Sequence, residues 1–167
     1  MKRRTVLTVA LVLGALIAYT GTVVATPSSR FGGTTLAKAT YSDIFSHVHT
    51  VPAAWDELIS TKGASDLYVV QNTWQPGGST GWHTHPGPSF VIVTQGSVTV
   101  YDGDDPACTP HVYTAGTANN AFIDPGDGHV HLVRNQTAAV AQTIAVQLIP
   151  AGAVRRQDAP NPGNCTF

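Results

Sequence analysis

The sequence feature that most constrains the fold is a pair of His-x-His motifs, each framed by glycine and proline. The first, at residues 83–85, precedes a turn at residues 86–88, and the second, at residues 129–131, follows a turn at residues 125–128. Residues two apart on a β-strand point to the same face, so the two imidazoles of a pair can reach one metal ion. We therefore predict two short strands that share one metal site across a barrel.

Short apolar and β-branched runs, separated by glycine and proline, fill the chain from residue 66 onward. Their length and punctuation predict about eight short strands in an all-β barrel, with no long helix. The strands at 90–95 and 97–102 are predicted to form a hairpin that turns at Gly96. The predicted strands are residues 67–74, 82–85, 90–95, 97–102, 111–114, 121–124, 129–135 and 140–149.

The predicted strand at residues 90–95 is apolar on both faces. Val91 and Val93 lie on one face, and Phe90 and Ile92 lie on the other. A strand of this kind is normally covered on both sides. We expect the barrel interior to cover one face, and another strand, the N-terminal segment or a partner subunit to cover the other.

The first 25 residues have the parts of a secretory signal peptide. Basic residues 2–4 precede an uncharged run with an apolar centre at residues 6–18, and small residues end at Ala25. The short apolar centre and the small or polar residues after it favour cleavage after Ala25 over an uncleaved membrane anchor. We expect a secreted, periplasmic or cell-surface protein with no stable membrane anchor after cleavage.

Residues 26–65 are the predicted N-terminal extension of the domain. Residues 26–35 are rich in threonine, serine, proline and glycine and predict a flexible lead-in. Residues 36–44 predict an edge strand, and residues 52–59 predict one or two helical turns. His47 and His49 form a third His-x-His, but no motif frames it, so a packed or solvated pair is favoured over a ligand role.

The chain has two cysteines, Cys108 and Cys165. Two cysteines in an exported chain most often form one disulfide. The bridge would tie the tail, residues 151–167, to the loop at residues 103–110. The alternative, a free metal-binding thiol, is less favoured because neither cysteine has a neighbour at ligand spacing.

The charge of the chain argues against nucleic acid as a partner. Of 167 residues, nine are basic and ten are acidic, and three of the basic residues lie in the leader. Cleavage would leave six basic and ten acidic residues, a net charge of −4, with no basic stripe. The remaining length is enough for one domain with a hydrophobic core.

The histidine motifs resemble the two motifs of the cupin superfamily, and the likeness is closest to small secreted single-domain cupins of bacteria. It extends over about residues 66–150. The residues that match the first motif are Gly77, His83, His85 and Gly96. Those that match the second are Gly128, His131 and Asn135, while Pro125 is one residue out of register.

This resemblance implies a double-stranded β-helix, the jelly-roll barrel of cupins, over residues 66–150 with a short N-terminal extension. It also implies a divalent transition metal, such as Fe, Zn, Mn, Cu or Ni, held by His83, His85 and His131. A single His-x-His would be explained as well by hydrogen-bonded histidines. Two framed pairs at cupin spacing favour metal binding.

The glutamate of the first motif is missing, because its position falls on Ser89 or, with a longer spacer, on Phe90. Three neutral imidazoles would leave the full charge of a divalent ion and open positions for water, dioxygen or an anionic substrate. The carboxylates of residues 124–128 could reach the barrel mouth as an acid or base, but a solvated turn is favoured. The residues predicted to support the site by hydrogen bonding are Ser89, Gln95 and His129, the last being alternatively a fourth ligand.

Two classes of function remain open. The chain is expected to bind a small molecule, either as an oxygenase-like or isomerase/lyase-like metalloenzyme or as a non-enzymatic module for a metal or small ligand. The lost glutamate favours the binding module, whereas the retained histidine pairs argue against a purely structural domain. A homodimer is a further expectation.

Overall fold

A computed structural model describes residues 24–51 and 55–167, and the predicted signal peptide lies outside this part of the chain except for Val24 and Ala25. The described residues contain no helix, and so none that could cross a membrane. Their strands are β1 (Ser29–Tyr41), β2 (Phe45–His49), β3 (Asp56–Ser60), β4 (Ser65–Ser79), β5 (His83–Thr84), β6 (Ser89–Gln95), β7 (Ser97–Asp102), β8 (His111–Thr114), β9 (Ala121–Asp124), β10 (His131–Arg134), β11 (Ala141–Pro150) and β12 (Gln157–Asp158).

Ten strands form one antiparallel sheet that curls into a nearly closed barrel. Along its main path the order is β12-β5-β10-β4-β11-β6-β9, while β1 pairs with β4, and β7 pairs with β10 and β8. The long strand β4 is central, because β11 pairs with it from Ser65 to Trp74 and β1 pairs with its other edge. The predicted all-β jelly-roll barrel is therefore confirmed.

The barrel strands bury alternate residues, as strand geometry requires. In β11 the buried positions are every second residue, including Ala145, Gln147 and Ile149, while Val146 and Leu148 between them are half-buried. The apolar residues form two clusters, one around Trp74 and one around Trp82. The Trp74 cluster lines part of the cavity described below, and the Trp82 cluster includes the residue that precedes His83.

The predicted disulfide joins Cys108 to Cys165, with a Cα–Cα distance of 5.3 Å that suits such a bridge. Cys165 belongs to the Trp82 cluster, so the end of the tail is packed as well as bonded. The two cysteines are 57 residues apart, and closing a loop of this length stabilises the fold by about 4 kcal/mol on the chain-entropy account.

The N-terminal extension is more ordered than the sequence predicted. The flexible lead-in is wrong, because β1 begins at Ser29 and the backbone of Thr26 donates to the Ala159 carbonyl at 3.0 Å. The helical turns predicted for residues 52–59 are also wrong for the residues that the structure describes. Residues 56–59 lie in β3, which pairs with β2, and residues 52–54 lie outside the described part. Cross-strand pairing outweighs the weak local preference for a helical turn there.

The hairpin predicted at Gly96 is not formed. Strand β6 pairs with β9 and β11, whereas β7 pairs with β8 and β10. Gly96 has a φ of +65°, and a Cβ there would lie 2.6 Å from the Val140 carbonyl oxygen. The chain therefore turns at a position that only glycine can occupy. After the turn, β7 pairs with β8 and β10 instead of folding back on β6.

The described residues cover the outer face of β6 only in part. Phe90 and Ile92 are each 49% exposed, and Ile123, paired with Phe90 from the edge strand β9, is 62% exposed. The apolar face continues across a groove of about 470 Å³ to Leu58 and Ile59 of β3. If the outer face of β6 is covered in full, as the sequence predicts, the covering group is not among the described residues.

Asp66 at the start of β4 ties three segments together. Its carboxylate accepts hydrogen bonds from the backbone of Gly152 at 2.9 Å and from the Thr40 hydroxyl at 2.5 Å. The Lys38 ammonium lies 2.9 Å away. These contacts, in that order, lower the pKa of Asp66 to about 2. One buried carboxylate thus holds the edge strand β1 and the turn after β11.

We predict that a second copy of this chain covers the outer face of β6, giving a homodimer. Replacing a central apolar residue by a charge should prevent that burial. Ile92→Lys should therefore be monomeric by size-exclusion chromatography with light scattering, whereas Val112→Lys, on the 49% exposed Val112 of β8, should stay dimeric. A monomeric parent protein, or a dimeric Ile92→Lys variant, would contradict the prediction.

We predict that acid weakens the fold through Asp66. A carboxyl group that titrates near 3.8 in the unfolded chain and near 2 in the folded chain stabilises the fold above about pH 4, and this contribution is lost as the pH falls towards 2. In urea titrations, Asp66→Asn should be less stable at pH 6 and should lose less stability between pH 4 and pH 2. Asp104→Asn, on an exposed loop, is the control. An unchanged acid dependence in Asp66→Asn would refute the assignment.

Candidate metal centre

The structure brings His83, His85 and His131 together inside the barrel. His83 opens β5 and His131 opens β10, and the two are direct partners in the antiparallel pairing of these strands. Their ring centroids are 4.2 Å apart, and the His85 ring lies 5.0 Å from that of His83. All three residues are buried, and one ring nitrogen of each lies within 4.8 Å of the others.

Hydrogen bonds to backbone carbonyls orient two of the rings. His83 Nδ1 lies 2.9 Å from the Gly81 carbonyl oxygen, and His85 Nδ1 lies 2.7 Å from that of Arg155. A carbonyl only accepts, so each Nδ1 carries the hydrogen and each Nε2 keeps a lone pair. Gln147 Nε2 is also 3.3 Å from His85 Nδ1, but the shorter carbonyl contact determines the tautomer. This arrangement is typical of metal-ligating histidine.

The three imidazoles are neutral at physiological pH. Burial, reinforced by repulsion from His131, lowers the pKa of His83 well below its ordinary value. Burial also lowers the pKa of His85 and that of His131, each to about 4. Neutral imidazole is the form that binds metal, so the environment keeps the lone pairs available.

The histidines line a cavity of about 120 Å³, which suits a small ligand. Its walls combine the aromatic side chains of Phe31, Trp74 and Phe122 with polar groups. The polar groups that face it include Asn72, Ser89, Asp124, Thr143, Gln147 and Arg155.

A chain of hydrogen bonds runs along the polar wall of the cavity. Arg155 Nη1 donates to Gln147 Oε1 at 2.8 Å, and Gln147 Nε2 donates to Ser89 Oγ at 2.8 Å. Ser89 lies in the cavity as predicted, but sequence reasoning missed Gln147 and Arg155. A glutamine at a buried position of the alternating strand β11 was the available signal, whereas nothing local marks Arg155 in the tail.

Gln95 does not lie at the site. Its side chain is exposed, although strand alternation placed it on the same face as Ser89. In the pairing of β6 with β11, Gln142 is opposite Gln95 and Thr143 is opposite Val93, so one residue is bulged between them. A β-bulge shifts the alternation by one residue and turns Gln95 away from the cavity.

Asp124 and His129 form a second group beside His131. Asp124 is only 4% exposed, so the solvated turn predicted for its carboxylate is wrong. His129 Nδ1 lies 3.3 Å from Asp124 Oδ1, and its Nε2 lies 3.5 Å from Asp102 Oδ1. A ligand atom of each of Asp124, His129 and His131 fits within 4.8 Å, and His129 thus contacts the site through Asp124.

The third His-x-His lies apart from the cavity. His47 and His49 are on the exposed hairpin of β2 and β3, and His47 Nε2 contacts Asp56 Oδ1 at 3.0 Å. Neither residue lines the cavity.

The donor atoms suit a divalent transition metal. Each of His83 and His85 offers an Nε2 lone pair, and three imidazole ligands are common for Zn, Cu, Fe or Ni. Two further buried atoms at the site, Asp124 Oδ2 and His131 Nδ1, have no hydrogen-bond partner. Neutral nitrogen donors with unpaired buried atoms beside them fit a divalent ion. The surrounding protein would control the exposure of this ion to solvent.

Comparisons with known proteins agree with this architecture. A family profile for the cupin domain matches residues 71–147, and together with the barrel fold this match supports membership of the cupin superfamily. No curated protein sequence matches it.

Three solved structures illustrate the likeness. The polyketide cyclase RemF from Streptomyces resistomycificus has 17% identity and a TM-score of 0.50, covering 84% of this chain and 81% of its own. A cupin superfamily protein from Desulfitobacterium hafniense has 10% identity and a TM-score of 0.42, covering 70% and 81%. Peruvianin-I, a cysteine peptidase from Thevetia peruviana latex, has 25% identity and a TM-score of 0.45, covering 57% of this chain; this chain spans 56% of its length. At these identities the likeness to RemF shows the fold alone.

Proposed function

We propose that this protein is an exported cupin that binds one divalent transition metal through His83, His85 and His131 and takes a small molecule at that metal. The observation that carries the proposal is the convergence of three buried, neutral imidazoles, two of them with Nε2 free. Such an ion would supply a Lewis acid or redox centre with open positions for a ligand.

The charges around the cavity favour an anionic ligand. Three neutral imidazoles do not offset the charge of the ion, and Asp124 is the one carboxylate among the described residues that lines the cavity. Arg155 lines the cavity and donates to neutral Gln147, and among the described residues no carboxylate lies within ion-pair distance of it. Arg156 also lines the cavity, but it is paired with Asp158 at 2.6 Å. A small carboxylate could therefore bind between the ion and Arg155.

We propose a reaction of one of two classes, oxygenase-like or isomerase/lyase-like. The alternative is a binding module without enzymatic activity. An open metal position is compatible with all three, and one barrel fold serves many functions. Oxygen uptake by the Fe(II)-loaded protein with a panel of small carboxylates would distinguish the first class. Product formation in the absence of oxygen would identify the isomerase/lyase-like class. Binding of a carboxylate without turnover would identify the non-enzymatic binding module.

We propose export with cleavage after Ala25. The leader sequence supports it, and the Cys108–Cys165 bridge is compatible with an oxidising compartment. Thr26, the residue that cleavage would make the first, contacts the barrel directly. Its hydroxyl accepts a hydrogen bond from the Trp82 backbone at 2.7 Å.

The metal site predicts a specific loss on mutation of His131. Two imidazoles of one short segment chelate poorly, so His131→Ala should bind less than a tenth of the metal bound by the parent protein. Elemental analysis after Zn(II) loading and desalting measures this. His49→Ala removes a histidine of the exposed hairpin and should retain one equivalent. Equal metal content in His131→Ala and the parent would rule out the three-histidine site.

Export predicts a defined mature chain. Intact-mass analysis of protein recovered outside the cytoplasm should give the mass of residues 26–167 less two hydrogens for the disulfide. Replacing Ala25 by a bulky residue should block or shift cleavage, because signal peptidase requires a small residue there. Exported protein that retains residues 1–25 would contradict the predicted cleavage after Ala25.

A further inference from the structure

This chain lacks the glutamate of the first cupin motif, but a carboxylate lies on the neighbouring strand. Ser89 occupies the glutamate position on β6, and in the antiparallel pairing of β6 with β9 its direct partner is Asp124. Directly opposite residues of such a pair project to the same face, with Cβ atoms about 4.5–5.5 Å apart. Both residues line the histidine cavity.

The two oxygens of Asp124 have different surroundings. Oδ1 accepts a hydrogen bond from the Gly126 backbone at 3.1 Å and contacts His129 Nδ1 at 3.3 Å. Oδ2 is buried and has no hydrogen-bond partner. Gly126 itself packs so closely on Gly87 that a Cβ would lie 2.4 Å from that backbone. Oδ1 therefore holds the turn, while Oδ2 remains free.

The free oxygen faces the lone pair of a histidine. Asp124 Oδ2 lies 3.9 Å from His85 Nε2. Because His85 Nδ1 donates to the Arg155 carbonyl, Nε2 is an acceptor, and two acceptors face each other across a buried gap. Two atoms bound to one ion at about 2.0–2.2 Å each are at most about 4.4 Å apart, so this gap suits a shared cation.

His131 presents a second unpaired atom to the same carboxylate. Its Nδ1 is buried without a hydrogen-bond partner and lies 3.6 Å from Asp124 Oδ1, too far for a hydrogen bond. Buried polar groups are rarely left unpaired in proteins. Of these unpaired atoms, Asp124 Oδ2 is the one that points to a cation, because it faces the lone pair of His85 and neither atom has a hydrogen to share.

We propose that Asp124 replaces the motif glutamate as the carboxylate ligand, giving a centre of three histidines and one aspartate. The proposal rests on the three-histidine metal site proposed above. One carboxylate lowers the net charge of a divalent centre from +2 to +1 and adds a hard oxygen donor. Such a donor set favours Mn(II) and Fe(II) more than three imidazoles alone do.

The test is Mn(II) and Zn(II) binding to the metal-free mature protein by isothermal titration calorimetry. Asp124→Asn keeps the size and the acceptor oxygen that holds the turn, but removes the charge. Loss of an outer hydrogen-bond partner costs about 10–100-fold in metal affinity. Loss of a ligand should therefore weaken Mn(II) binding more than about 100-fold, with a smaller effect on Zn(II).

Two variants separate a ligand from a structural role. Asp127→Asn changes the exposed aspartate of the same turn, whose φ of +53° asparagine tolerates, and should bind as the parent does. Adding Ser89→Glu to Asp124→Asn returns a carboxylate to the same face and should restore Mn(II) affinity to within about tenfold. Such rescue is not expected if Asp124 serves only to hold the turn.

The outcomes distinguish this inference from the proposed function. If the parent binds one equivalent and Asp124→Asn binds Mn(II) within threefold of it, the aspartate is not a ligand, and a water between Oδ2 and His85 accounts for the gap. Weak binding without rescue by Ser89→Glu likewise overturns the inference. If the parent itself binds neither metal, the three-histidine site fails first.

Discussion

The antiparallel pairing of β5 with β10 is the interaction on which the site depends. It places His83 directly opposite His131, although the two residues are far apart in the sequence. Burial there is tolerated because two of the rings donate to backbone carbonyls and all three stay neutral. The same burial that removes water from the imidazoles keeps their lone pairs available, so packing and chemistry are set by one arrangement.

The tail after β11 is a wall of this site rather than an appendage. The Arg155 carbonyl fixes the His85 ring, and the Arg155 guanidinium orients Gln147. Further along, the Ala159 backbone donates to the Trp82 carbonyl, next to His83. The bridge to Cys165 then holds the tail against the Trp82 cluster. The stability of the tail and the shape of the cavity are thus linked.

Strand alternation together with the likeness to the two cupin motifs was enough to predict the barrel and the three histidines. They failed where the position of a residue depends on its partner strand. Gln95 is turned outward by a bulge that only the β6–β11 pairing reveals. Asp124, flanked by proline and glycine, has the local sequence of a solvated turn, yet its partner in the barrel is Ser89. Register between distant strands cannot be obtained from either segment alone.

This dependence on register also explains how a motif residue can be lost without loss of its chemistry. A cavity lined by an antiparallel pair receives side chains from both strands at one level, so a carboxylate can reach it from β6 or from β9. The charge of the centre, and with it the preference among metals, depends on which groups meet in the cavity and not on which strand carries them. A serine at the glutamate position is therefore weak grounds for regarding the site as inactive, because its cross-strand partner is a buried aspartate.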